Sequence, residues 1–272
     1  MLSVDEVGFA YDGGAPVLTG ISLRAERGEV IAIVGRNGAG KSTLLRLLNG
    51  LLKPAAGRLT VNGNDTATTP VHVLARHIGT VFQAPEQQIF NATVHDEVAY
   101  GPRRLGLRGK ALAARVAGVL ERVGLAADGA RHPLDLDAAG LRFVAIGSVL
   151  AMRPAILLLD EPQRGLDAPS LARLESIVAA EAAAETCVLM VCHDMDFVAR
   201  RAGRVIALAG GRVCADHSAA AFFGDPRLTR RAGVELPDTL RLSAELGLPA
   251  ALTPEVLASE WIARARRIDL AR

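Results

Sequence analysis

The amino-acid sequence predicts an α/β fold with a β-rich edge, a parallel-sheet core, an inserted helical lobe and a small C-terminal helical appendage. Three observations carry this. Continuous apolar runs at residues 30–34, 156–159 and 188–191 read as strands buried on both faces, the pattern of a parallel sheet. The first thirty residues instead alternate apolar and polar around Gly13-Gly14, Gly20 and Gly28, as antiparallel strands joined by turns do. From residue 84 to about 154 the chain becomes alanine-rich with helical periodicity.

Size and composition agree. A chain of 272 residues accommodates one large domain, placed at 1–225 with its helical lobe at about 84–154, and an appendage at 226–272. Half of the residues are apolar and 22% are charged, enough for an ordinary core. A net charge of +2 without a basic stripe argues against a nucleic-acid partner. No uncharged apolar run approaches the roughly 18 residues that span a bilayer. The start, MLSVDEVGFAYDGG, lacks the apolar block of a secretory signal. The expected location is therefore cytoplasmic, with peripheral docking on the inner face of a membrane. Cys187, Cys192 and Cys214 lack metal-ligand spacing, and a structural role in a reducing compartment is expected.

The elements follow in order. In GEVIAIVGRNGAGKSTLLRLLNGLLKP, a buried strand at 30–34 leads through a glycine loop into a helix predicted at 42–52. HIGTVFQ reads as a strand ending at Gln83. Breaks are expected in the helical lobe at Gly101-Pro102 and His132-Pro133. A helix over about 170–185 separates the strands at 156–159 and 188–191. RVIALAGGRVCAD reads as a hairpin turning at Gly210-Gly211. Beyond Asp225-Pro226, short helices are broken at Pro237, Pro249 and Pro254.

Within this frame three groups of residues carry chemistry. Gly35, Arg36, Asn37, Gly38, Ala39, Gly40, Lys41 and Ser42 fit G-x-x-x-x-G-K-[ST] in full, and Thr43 follows. Such glycines let successive N–H groups point inward at phosphate oxygens, and the helix N-terminus adds partial positive charge. Lys41 is then expected to reach the β- and γ-phosphates of a nucleotide and Ser42 to bind Mg2+. Asp160 closes a buried strand, where a carboxylate needs a cation such as magnesium; Glu161 is placed to take a proton from water. His193 lies where a third parallel strand reaches the same sheet edge, at which open α/β sheets bind ligands.

In this order the residues resemble the ATP-binding subunits of ABC transporters, P-loop NTPases, over about residues 2–225. The similarity rests on Tyr11, GRNGAGKST, Gln83, a signature helix, LLLLDEP, the turn Gly165-Leu166-Asp167, and CHD. The resemblance implies that Tyr11 stacks on adenine and that Gln83 touches magnesium and the attacking water. It further implies that Glu161 is the catalytic base, that His193 holds the γ-phosphate, and that Asp167 lies in a turn coupling two facing subunits. The metal set is then Ser42, Gln83 and Asp160. VFQAPEQQIF, AIGSVLAMRP, CHDMDFV and AGVELPDTLRLSAELGLP narrow the resemblance to the ATPases of energy-coupling-factor importers of cobalt, nickel or vitamins. Such ATPases pair head to tail and drive a transmembrane coupling subunit with a substrate-binding membrane subunit. Their C-terminal segment helps hold the dimer, and residues 85–90 would lie near the membrane partner.

One element departs. The family signature LSGGQ aligns with Leu136-Asp137-Ala138-Ala139-Gly140, so the phosphate-binding serine is an aspartate and both glycines are alanines. Either Asp137 repels the phosphate held by the opposite subunit, or it simply N-caps the helix. Both readings expect the phosphate-binding role to be weak or lost. Full retention of the catalytic residues beside a degenerate signature favours a heterodimer over a homodimer. Arg164 stands where a small residue is usual, either contacting the partner or solvated. The four arginines of WIARARRIDLAR are read as a solvated helix end, with lipid or a membrane subunit as the other possibility. The expected function is an importer ATPase; the alternatives are a regulatory subunit with little turnover and a soluble relative acting in translation or DNA repair.

Overall fold

A computed structural model describes residues 1–270, with side chains as far as residue 266. Two sheets organise the chain. The antiparallel one has the order β2-β1-β4-β5, from β1 (Leu2–Ala10), β2 (Pro16–Ala25), β4 (Ala56–Val61) and β5 (Asn64–Asp65). The other has the order β10-β9-β3-β8-β7-β6, from β3 (Val30–Val34), β6 (Ile78–Val81), β7 (Ile156–Asp160), β8 (Cys187–Val191), β9 (Arg204–Ala209) and β10 (Arg212–Ser218). All its neighbours are parallel except the β9–β10 hairpin.

The apolar runs are continuous because both faces of this sheet are covered. Ile31, Ile33, Leu158 and Leu189 turn to a core shared with the antiparallel sheet and α1 (Lys41–Leu48). Ala32, Val34, Leu157, Leu159 and Met190 turn to the opposite core, which contains Phe143, Val144 and Phe197. There lie the helical lobe, with α3 (Val94–Arg104), α4 (Gly109–Arg122) and α5 (Ala138–Leu150), and then α6 (Ala168–Ala183) and α7 (Met195–Arg201), whereas the short α2 (Val71–Leu74) sets Leu74 into the first core. The chain continues through α8 (Ala219–Gly224), α9 (Pro226–Ala232), α10 (Asp238–Glu245) and α11 (Pro254–Leu270). None of the described helices is long and apolar enough to cross a membrane.

Several expectations need correction. Gly101-Pro102 does not break a helix; both lie inside α3. Pro102 stands near the helix end, and a Cβ on Gly101 would sit 2.5 Å from Met152 Cγ, so packing against the C-terminal end of α5 overrides the local breaker. Gly20 is not a turn but a residue with φ of 60° inside β2, where the pairing with β1 is irregular. Helix α1 stops at Leu48 rather than residue 52, because Gly50 turns left-handed. The strand before Gln83 ends at Val81. Strands β4 and β5 and helices α2 and α7 were not anticipated. The His132-Pro133 break stands, as a 3-10 turn at Pro133–Asp135. Gly210-Gly211 has positive φ at both residues, as a tight hairpin requires.

All three cysteines are free thiols. Burial pushes the Cys187 thiol up to about 12 and raises Cys192 as well, so both behave as core side chains. In the C-terminal run, Arg264 donates to the Leu246 carbonyl at the end of α10, which ties α11 to α10. Of its other arginines, Arg266 is exposed, whereas the side chains of Arg267 and Arg272 lie outside the described residues.

Gly79 on β6 is the tightest meeting of sheet and lobe. An added Cβ would lie 2.2 Å from Val149 Cγ1 on α5 and 2.9 Å from Pro154 Cγ. Gly79→Ala is expected to destabilise the fold by about 1–3 kcal/mol. Urea unfolding measures this as a lower midpoint at unchanged slope.

Candidate nucleotide site

The three central strands, β3, β8 and β7, end level. Ile33 pairs with Val191, and Asp160 pairs with the same residue from the other side. The glycine loop, the carboxylates Asp160 and Glu161, and His193 therefore emerge at one sheet edge.

In the loop, Gly35, Gly38 and Gly40 all have positive φ. Two positions also lack room for a side chain: a Cβ on Gly35 would lie 2.2 Å from the Leu208 carbonyl oxygen, and one on Gly40 2.4 Å from Leu18 Cδ2. Arg36, Asn37 and Ala39 complete the turn. Lys41 opens α1, and its Nζ donates back to the carbonyls of Gly35 at 2.7 Å and Arg36 at 3.0 Å. No acidic residue occupies the first turn of α1, so its N-terminal dipole has no internal anion. Ser42 and Thr43 follow in that turn. The Tyr11 hydroxyl lies 3.3 Å from Thr43 Oγ1, while its half-exposed ring stands edge-on to Phe9.

The second half of the site gathers on Glu161. Gln83 Nε2 donates to Oε2 at 3.0 Å, His193 Nε2 lies 3.2 Å from Oε1, and the Arg164 guanidinium is 3.5 Å from Oε2. Glu161 has φ of 50°, a left-handed conformation that costs a non-glycine residue about 1–3 kcal/mol. It is held by its own N–H, which donates to the Val191 carbonyl at 3.0 Å. Arg142 of α5 donates to its carbonyl at 2.8 Å. Neither arginine was expected to contact Glu161. A charged residue within the apolar stripe of α5 was the one available signal for Arg142, and the unusual Gln163-Arg164 pair the signal for Arg164.

The charges are mutually strained. Burial raises the Asp160 carboxyl, and the adjacent Glu161 charge raises it further. Burial lowers the Lys41 ammonium. Burial, then the charge of Lys41, lowers His193, which favours the neutral imidazole at pH 7.

Ser42, Gln83 and Asp160 line one cavity of about 580 Å3. Hydroxyl, amide and carboxylate oxygens are hard donors that suit magnesium. Among the described residues no three His, Cys, Asp or Glu side chains gather to hold a metal. Such a site leaves coordination positions for phosphate oxygens and water, which also suits magnesium. A second cavity of about 930 Å3 opens over Gly35, Arg36 and His193 and is walled by residues 233–236 and Asp238. There Gly233 abuts Arg36, and Asp238 N donates to Asp196 at 3.0 Å.

The degenerate signature lies elsewhere, at the front of α5. Asp137 is the N-cap, and its Oδ1 accepts from Gly140 N at 2.7 Å. Exposed Ala138 and half-buried Ala139 begin the helix. Asp167 likewise N-caps α6 through Ser170 N at 3.0 Å. In the lobe, residues 85–87 form a 3-10 turn, and exposed Phe90 stacks edge-on with Tyr100 at 4.8 Å.

The profile of the ABC transporter family matches residues 18–164. The chain is 38% identical, over 89% of its length and 78% of the relative's, to the energy-coupling factor transporter ATP-binding protein EcfA of Methanothermobacter thermautotrophicus. It is 37% identical to an ABC transporter ATP-binding protein of Pyrococcus furiosus over 94% of this chain and 98% of that one. Among solved structures, CbiO1 of Clostridium perfringens, part of the ABC transporter complex CbiONQ, superposes with a TM-score of 0.77 at 31% identity. That superposition covers 90% of this chain and 98% of CbiO1. The dimeric ATP-binding cassette MJ0796, bound to ADP and Pi in a post-hydrolysis state, gives 0.73 at 25% identity, covering 80% and 99%. A glycine loop built for phosphate, a carboxylate-rich strand end beside it and this breadth of similarity lead to one assignment: the chain belongs to the ABC transporter ATP-binding family and is an ATPase that uses ATP and Mg2+.

Proposed function

We propose that this ATPase is the motor subunit of an energy-coupling-factor importer for a metal ion or vitamin. The observation that carries its catalytic reading is the convergence of Gln83 and His193 on Glu161 beside an intact phosphate loop. Similarity to EcfA and to CbiO1 supports the importer type. The chain then works on the cytoplasmic face of the membrane, with a coupling subunit and a substrate-binding subunit. The exposed Phe90–Tyr100 pair is the surface offered to the coupling subunit. Helices α9 to α11 are the segment that holds the dimer.

Each side chain has a task. Lys41 exchanges its two carbonyl acceptors for β- and γ-phosphate oxygens, and the N–H groups of residues 35–43 cradle the rest. Tyr11 stacks on adenine. Ser42, Gln83 and Asp160 would hold magnesium, which supplies neutralisation of phosphate charge. Glu161 accepts the proton of the attacking water, with Gln83 orienting that water and His193 the γ-phosphate. Glu161→Gln is expected to leave ATP binding intact while lowering kcat by at least about 100-fold in a coupled ATPase assay. An unchanged rate would instead make the chain a regulatory, nucleotide-binding subunit.

Asp160→Asn separates function from stability. It removes a carboxylate that burial disfavours, so Tm of the ligand-free chain should rise by a few degrees while Mg-dependent turnover is lost. The sign follows from linkage. A carboxyl raised in the folded state contributes against folding above its folded pKa, so the gain is present at neutral pH and disappears as pH falls towards 3.8 and below.

The partner completes each site with its signature. Here the helix front is filled by the carboxylate of Asp137, and two unit charges about 4 Å apart repel by about 4 kcal/mol at a dielectric of about 20. A second ATPase with an unaltered signature would give one working site, so a heterodimer is the favoured assembly. The chain alone should therefore turn over slowly, and co-expression with such a partner should raise the rate. Asp137→Ser should raise the rate of the chain alone by roughly tenfold. Rapid turnover by the unmodified chain, no faster with Asp137→Ser, excludes this assignment.

A further inference from the structure

Arg142 sits on α5 about one and a half turns beyond Asp137 and is only 8% exposed. Among the described residues it makes no close ion pair; burial and then the like charge of Arg164 lower its guanidinium, against the smaller opposing influence of the more distant Glu86 and Glu161 carboxylates. An arginine buried without a carboxylate partner is costly and calls for a compensating interaction. Its hydrogen bond is directed to one atom, the Glu161 carbonyl oxygen, at 2.8 Å. That oxygen also accepts from the Arg164 N–H at 3.2 Å, which closes the turn over residues 161–164.

This oxygen controls an unstable conformation. Glu161 has positive φ and precedes Pro162, so few backbone alternatives are near, and those that exist would turn its side chain elsewhere. Three contacts restrain the main chain of residue 161: its N–H to Val191, and its carbonyl to Arg142 and to Arg164 N. The first comes from the sheet and the third from within the same turn. Among the described residues, Arg142 ties the main chain of this turn to the helical lobe by a side chain. The carboxylate that meets Gln83, His193 and Arg164 is thus aimed by a peptide unit held from α5.

We propose that Arg142 is a positioning residue for ATP hydrolysis: by holding the Glu161 carbonyl it fixes the left-handed turn that aims the Glu161 carboxylate. It also links, within one chain, the helix that begins at Asp137 to the proton-accepting group. This rests on Glu161 being the base. Because Arg142 acts through the Glu161 carbonyl, its effect falls on the chemical step and leaves the phosphate loop alone.

The test uses the full-length chain in single-turnover ATPase assays, comparing the parent with Arg142→Lys, Arg142→Met and Glu161→Gln. ADP affinity is measured by calorimetry, and amide exchange is followed at Arg164, whose N–H reports on the turn. Arg142→Met should lower the hydrolysis rate by roughly 30- to 100-fold. ADP affinity should stay within about twofold, and Arg164 exchange should quicken. Arg142→Lys keeps the charge but not the fork, and should fall between parent and Met on both readouts. If Arg142→Met does not fold, Arg142→Lys decides the matter by the same two readouts. Parental rate and parental exchange in the folded variants overturn the proposal. So does a rate loss matched by an equal loss of ADP affinity, which marks a general structural role. Glu161→Gln keeps the two readings apart: at parental rate, the assignment of the base fails, whereas an inactive Glu161→Gln beside fully active Arg142 variants removes Arg142 alone.

Discussion

The level ending of three adjacent parallel strands is the constraint on which the rest depends. Val191 of β8 pairs with Ile33 on one side and Asp160 on the other, so the chain leaves all three strands at one height. From there a strand–loop–helix turn presents N–H groups, a strand end presents two carboxylates, and a third presents an imidazole. No side chain has to reach far. A slip of one residue in either pairing would reverse the faces of that strand, sending apolar side chains into the wrong core. Because both faces of the sheet are buried, the pairing that satisfies the core is also the one that aligns the site.

That alignment concentrates charges that the protein alone does not neutralise. Lys41 is depressed by burial and turned onto its own loop carbonyls, while Asp160 is raised by burial and by its neighbour. Each is held away from its preferred state, and each has a complement in Mg-ATP: phosphate oxygens for the ammonium, the metal for the carboxylate. The α1 N-terminus lacks an acidic residue for the same reason. Binding energy comes from charges left incompletely satisfied by the fold, in a setting where water has already been partly removed.

Much of this was legible in the sequence because its signals are local. The run at β3, the glycine spacing and the paired acids each fit within a dozen residues, and period-two patterning marks the hairpins. Less legible were features made by distant residues. Strand β4 pairs with β1 and β5 with β4 at the edge of the antiparallel sheet, and both carry too short an apolar pattern to stand out. Pro102 was misread because the contact of Gly101 with Met152 joins residues far apart in sequence. Arg142 and Arg164 escaped for the same reason: a buried arginine gives no local sign of which carbonyl it serves. Asp137 was legible as a departure, and the structure adds which N–H it binds.

The two helix fronts of this chain show opposite treatments of one physical resource. A helix N-terminus that is to receive an external anion must be left unsatisfied, and glycine loops achieve this at α1 at the expense of intrinsic stability. At α5 the Asp137 carboxylate accepts from Gly140 N, a capping bond of about 0.5–2 kcal/mol. The same bond removes an N–H and adds a negative charge where phosphate would dock. On the proposed assembly, stability of the lobe and reception of a partner's nucleotide would therefore oppose each other at this residue. Resolving the conflict towards capping leaves α5 firmly anchored at its front. That anchoring is of use only if the helix has another task, and the bond from Arg142 to Glu161 supplies one: α5 need not receive a phosphate to keep the carboxylate of its own chain in place.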